Sequence, residues 1–148
     1  MNHGSLGEKV IRVMNGVAAG TSAQTSSAID MAGFDAVKIY SLFGTITSGA
    51  VTSVKVQQSS DDASADAYAD LEGTSVTVAD DDDNQVVVHD IVAPRERYLK
   101  VVISRATQNA VIDGVIAVLY KARSAATTND ATTVVSREVH ASPAEGTA

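Results

Sequence analysis

Apolar and polar positions alternate with a period of two along most of this chain. From Glu8 to Met14, the set Val10, Arg12 and Met14 alternates with Lys9, Ile11 and Val13. Asn15-Gly16 closes that run as a turn pair in which both residues tolerate positive φ. Val17 to Ser27 is rich in small residues and reads as loop, and Ala28 to Met31 reads as a weak strand ended by Gly33. Between Asp35 and Phe43, Val37, Ile39 and Phe43 face one way and Lys38 and Tyr40 the other. Gly44 to Gly49 predicts a turn. Ala50 to Gln58 then alternates again, with Val54 and Val56 opposite Ser53, Lys55 and Gln57.

Further on, Ser59 to Asp66 is a polar, acidic loop, and Tyr68–Leu71 and Ser75–Ala79 read as short strands, the first at an edge. Gln85–Val92, Tyr98–Arg105 and Val111–Lys121 are the most apolar runs. The nearest approach to a helix, Ala63 to Leu71, is short and lacks a continuous apolar stripe. Eight to nine short strands with Gly- and Asp-rich turns predict an all-β antiparallel β-sandwich. A jelly roll of two four-stranded sheets fits that count best; an immunoglobulin-like sandwich is second, without its Cys-Trp-Cys core marker.

Val86–Val88, Val101–Ile103 and Val111–Tyr120 are apolar at nearly every position, which predicts strands buried on both faces. In a sandwich of this size the second face must meet loops, the tail or another subunit, so the pattern points to a homo-oligomer or a larger assembly. Asp113-Gly114 interrupts the last run and predicts a bulge.

Length and composition narrow the class. At 148 residues the chain suits one domain, with 8–123 as the sandwich, 1–7 as an N-terminal arm and 124–148 as an extended C-terminal arm. The absence of Cys excludes disulfides, thiolate metal sites, Fe–S clusters and a cysteine nucleophile. No run of 18 or more apolar residues suggests a membrane span, and the N-terminus lacks the basic-then-apolar order of a secretory signal. A net charge of -7 and a pI near 4.7 argue against sequence-independent binding to nucleic acid.

The charge is local. Ten of the 18 acidic residues lie between Lys55 and Arg95, a stretch with no Lys or Arg, so the remainder of the chain is net positive. One cluster is Asp61, Asp62, Asp66, Asp70 and Glu72. The other is Asp80–Asp83, followed by Asn84. Oxygen-rich runs of this kind can serve Ca²⁺, but the Gly and bidentate Glu offsets of an EF-hand loop are missing. A solvated hairpin tip between Ser75–Ala79 and Gln85–Val92 is the simpler expectation. Arg95, Arg97, Lys100 and Arg105 form the one basic concentration; scattered surface charge is the simpler expectation, and a partner for those acidic loops within or between subunits the sharper one.

Catalytic chemistry finds little footing. His3 and His140 lie in the terminal regions, and His89 sits in an alternating strand, where a cross-strand or solvent-facing role is expected. No Gly-x-Ser-x-Gly elbow, Walker loop or dinucleotide fingerprint is present. The residues therefore propose no catalytic, cofactor-binding or metal-ligating set, and the reading is non-enzymatic.

After Arg123 only Val134, Val135 and Val139 can anchor the chain. Two readings stand side by side: a frayed terminus, or an arm that adds Thr132–Val139 as a strand to a neighbouring subunit's sheet.

Several segments together carry a resemblance. Asp30-Met31-Ala32-Gly33-Phe34-Asp35-Ala36-Val37 is followed by Val54-Lys55-Val56-Gln57-Gln58-Ser59-Ser60-Asp61-Asp62 and Tyr68-Ala69-Asp70-Leu71-Glu72-Gly73-Thr74. Arg97–Ile103 and Ile116–Arg123 continue the order. From Asp30 to Arg123 the chain resembles the head decoration, or cement, proteins of tailed bacteriophages. The resemblance implies a jelly roll made in the host cytoplasm and placed on the outer surface of the virion head. There it would bind, as a homodimer or homotrimer, over joints between major capsid protein subunits, without cofactor, nucleic acid or membrane. The alternative is a fibre or tail-associated receptor- or carbohydrate-binding module. Sugar platforms favour exposed Trp or Tyr, and this chain has no Trp and only Tyr40, Tyr68, Tyr98 and Tyr120. A hydrolase on a jelly-roll scaffold lacks the His and carboxylate ligand set of a cupin-type site.

Overall fold

Strand propensity and alternation are expressed almost throughout residues 9–122. The computed structural model describes residues 7–124, 127–142 and 144–147, so most of the 1–7 arm lies outside the described residues. The strands are β1 (Lys9–Met14), β2 (Val17–Gly20), β3 (Gln24–Thr25), β4 (Ile29–Asp30), β5 (Phe34–Ile46) and β6 (Val51–Ser59). They continue with β7 (Ala69–Asp70), β8 (Val76–Val78), β9 (Val86–Val92), β10 (Tyr98–Ala106) and β11 (Ala110–Ala122). No helix among these residues is long and apolar enough to cross a membrane.

Two antiparallel sheets form. One runs β1-β11-β5-β9, with β2 also on β11; the other runs β3-β10-β6-β7, with β4 also on β10 and β8 also on β6. Grouping β1 with β2, β3 with β4 and β7 with β8 leaves eight positions in chain order. Numbered that way, the sheets read 1-8-3-6 and 2-7-4-5, the strand order of a jelly roll. The long pairings are β11 with β5 and β10 with β6, so the sandwich is built on contacts distant in sequence.

The core lies between the sheets. Val37, Ile39, Phe43, Val115, Ala117 and Leu119 enter it from one sheet, and Val54, Val56, Leu99, Val101 and Ile103 from the other. Each set occupies alternate positions, because a strand presents every second side chain to the same face. Val13 and Met14 are both buried although they are adjacent. The pairing of β1 with β11 shifts register between Arg12 and Met14, and the extra residue turns a second apolar side chain inward. The bulge expected at Asp113-Gly114 is also present, as a register shift between Ile112 and Gly114. Gly114 has φ 144°, and a Cβ there would stand 3.2 Å from the Met14 carbonyl oxygen. Both facts call for glycine.

Four expectations change. The Val17–Ser27 stretch is not simply loop: β2 and β3 lie in it and extend both sheets. Asp80–Asp83 is not a hairpin tip, because β8 pairs with β6 in one sheet and β9 with β5 in the other. The segment crosses between sheets instead. Within a single chain the apolar runs are not buried on both faces. In β9, Val86, Val88 and Val92 are 49%, 50% and 54% exposed, and in β11 Ile116 and Val118 are only half-buried. Finally, Arg105 is not part of a surface basic cluster: it is buried, with 5% exposure.

Candidate interaction surface

The outer face of the β1-β11-β5-β9 sheet is assembled by register. Arg12, Ile116, Tyr40 and Val88 form one row across the sheet, and Val10, Val118, Lys38 and Asp90 the next. Gly114, Leu42 and Val86 begin a third. This face combines apolar side chains with Arg12, Lys38 and Asp90, and its two ends differ. At the β9 end the valines stand exposed. At the β1 end the C-terminal segment lies along the strand and shelters it.

That segment docks by hydrogen bonds from several residues. Asn129 Oδ1 accepts the Val10 N–H at 2.8 Å, and the Asp130 N–H is directed to the Val10 carbonyl at 3.4 Å. Thr133 Oγ1 accepts from the Arg12 N–H at 3.2 Å, Thr127 Oγ1 donates to the Glu8 carbonyl at 2.6 Å, and Arg137 Nη1 donates to the same carbonyl at 2.9 Å. Asp130 gathers the Thr132 and Thr133 hydroxyls and the Thr132 N–H, and these bonds hold its carboxyl below the usual carboxylate range. Thr132–Val139 forms no strand. From this run Thr133 accepts the Arg12 N–H of β1 and Arg137 donates to the Glu8 carbonyl just before it, so the contact is made by side chains rather than by a ladder. Between tail and sheet lies a groove of ≈ 310 Å³ lined by Val10, Leu42, Gly114, Ile116, Thr133 and Val134 among others.

The acidic residues serve the backbone. Asp83 Oδ1 accepts the Ile46 N–H at 2.5 Å, Asp80 Oδ2 the Gly49 N–H at 2.7 Å, and Asp82 Oδ2 the Ala79 N–H at 2.9 Å. The crossing is thereby tied to the β5–β6 turn. In the other cluster, Ser59 Oγ accepts from the Asp61 and Ala63 N–H groups, and Asp61 accepts from Ala65 and Asp66. Those backbone donors, Asp66 first, lower the Asp61 pKa.

Charges of the two signs do meet within the chain. Lys55 bridges Asp70 at 2.6 Å, Lys100 approaches Asp62 at 3.5 Å, and Arg97 grips Asp30 through Nε at 2.8 Å and Nη2 at 2.9 Å. Hydrogen bonds to these cations lower the Asp70 and Asp30 pKa values. Arg105 instead donates to the carbonyls of Ser22, Ala18 and Ala110 at 2.8, 2.9 and 2.7 Å. His89, expected to be cross-strand or solvent-facing, is buried, and its Nε2 lies 2.7 Å from the Thr74 carbonyl oxygen.

Three of the four tyrosine rings carry cations on their faces: Lys100 over Tyr68 at 4.3 Å, Arg97 over Tyr98 at 5.0 Å and Lys38 over Tyr120 at 5.3 Å. A sugar platform needs a bare aromatic face, so this arrangement disfavours one. Desolvation, followed by the hydrogen bond to Asp62, raises the Tyr68 pKa, and the bond to Asp90 raises that of Tyr120.

No family model matches the chain. No curated protein matches it. Among solved structures it is similar to the structure of infectious bursal disease virus Gt strain, at 13% identity with a TM-score of 0.38. That similarity covers 76% of this chain, which spans 32% of the length of the other.

Proposed function

We propose that this protein is a non-enzymatic virion component that binds the outside of a tailed-phage head and stabilises contacts between major capsid subunits. The observation that carries this reading is the outer face of the β1-β11-β5-β9 sheet. Exposed Val86 and Val88 adjoin Tyr40, Leu42 and Ile116 there, an apolar area of the sort that marks a protein-binding surface, and exposed Val92 lies beyond the Lys38–Asp90 row. Acidic residues border this face rather than avoid it: Asp90 lies in it, Asp70 and Glu72 line a cleft with Asp90 and Val92, and Asp83 of the crossing bonds the end of β5.

The likeness of Asp30–Arg123 to decoration proteins supports the same reading. Repetition over a lattice supports it on energetic grounds, because many modest contacts made together dissociate rarely. The test is co-sedimentation with heads assembled from the major capsid protein of the same genome. Association with expanded, emptied heads and a higher rupture temperature are expected. Failure to associate with heads at any stage of maturation overturns the proposal.

A further inference from the structure

The β1-β11-β5-β9 sheet has two edges, and the chain treats them differently. Tail residues occupy the β1 edge. At the other end, β9 pairs with β5 and with no other strand among the described residues. The Phe43 N–H donates to the Gln85 carbonyl at 3.0 Å and the Ala93 N–H to the Asp35 carbonyl at 2.7 Å, so the odd-numbered residues of this strand spend their backbone groups on β5. Antiparallel alternation then directs the N–H and C=O groups of Val86, Val88, Asp90 and Val92 away from the sheet. Edge strands are usually protected by Lys, Pro or a bulge. Val86–Val92 contains neither Lys nor Pro, and its pairing with β5 has no register shift.

We propose that β9 is a self-pairing edge. Two copies of this chain join antiparallel through it, across a twofold axis beside His89, and merge their sheets into one. The strand is complementary to itself. The register that overlaps all of Val86–Val92 sets Val86 against Val92 of the second copy and Val88 against Asp90, so no charge faces a like charge directly. Each Asp90 is also held by its own Tyr120 hydroxyl at 2.5 Å and lies opposite Lys38, which offsets its charge. Within the chain, the tail is already committed to β1. Such pairing satisfies the outward backbone groups, shelters the three valines and doubles the apolar face. It does not depend on the function proposed above, and its test needs no head.

Sedimentation equilibrium of the full chain, in a series reaching about 1 mM, tests it. The wild type is expected to form dimers, with the amides of Val86, Val88, Asp90 and Val92 exchanging more slowly as the dimer fills. Val88→Lys should weaken dimerisation at least tenfold. Val88→Pro should do the same, since it removes an N–H that bonds nothing in its own sheet, and melting curves confirm that both variants fold. Val51→Lys alters a valine that is 60% exposed on the other sheet and should leave the dimer intact. A monomer throughout, a trimer, a dimer indifferent to Val88→Lys, or unchanged exchange at those four amides overturns the proposal.

Discussion

Asn129 and Val10 are 119 residues apart in sequence, yet the Asn129 Oδ1 accepts the Val10 N–H at 2.8 Å. This contact shows how the chain closes one edge of its sheet: a side-chain amide does the work of a strand. Asn129→Ala should lower stability by about 1 kcal/mol, the usual net worth of one hydrogen bond. Removing residues 127–148 should accelerate exchange at the Val10 and Arg12 amides while leaving the β10 amides protected. Equal loss of protection in β10 would mean that the tail supports the whole sandwich rather than this edge.

Arg105 joins three backbone carbonyls that belong to the β2–β3 region and to β11. Arg105→Ala should destabilise the fold by about 3 kcal/mol, because several buried acceptors lose their donors together. Arg105→Lys should recover only part of that, since one ammonium cannot span three acceptors set around a planar fork. Chemical denaturation of the three proteins measures the order wild type, lysine, alanine.

The four consecutive aspartates are not equivalent. Asp83→Ala, which frees the Ile46 N–H, should cost about 1 kcal/mol. Asp81 is exposed, and Asp81→Ala should fall within about 0.5 kcal/mol of wild type. Because Asp80, Asp82 and Asp83 are engaged by backbone donors, millimolar Ca²⁺ should leave the melting temperature unchanged. An upward shift would show that the crossing opens to bind the ion.

Acid should weaken the molecule in a defined window. Asp30, Asp61, Asp70 and Asp130 all have pKa values lowered from 3.8. A carboxylate depressed in the folded state contributes stability above its unfolded pKa and loses that contribution as pH falls through the folded value. The melting temperature should therefore be flat towards neutrality and fall below about pH 4. Asp130→Asn should flatten part of that fall. A decline beginning near pH 6 would point to histidine instead.

Much of the fold is legible in the chain because strand periodicity is a local property. Val54 and Val56, or Leu99, Val101 and Ile103, announce which face turns inward without reference to any partner. The same parity holds the clue to Arg105: it continues the inward phase of Leu99, Val101 and Ile103, a signal overridden by its charge. His89 is in phase with Val87 and Ile91 in the same way, and it too is turned inward. The outward valines misled because apolar runs do not reveal whether a second face is covered.

The sequence by itself determined the long strands, the sandwich class, the Asp113-Gly114 bulge and the concentration of acid between Lys55 and Arg95, since each depends on side chains a few residues apart. Only the tertiary structure decided the strand order, the crossing at Asp80–Asp83, the carbonyl cage of Arg105 and the fate of the two sheet edges. Those features join residues tens to more than a hundred positions apart, and which backbone groups remain unpaired is settled only once every strand has found its neighbour.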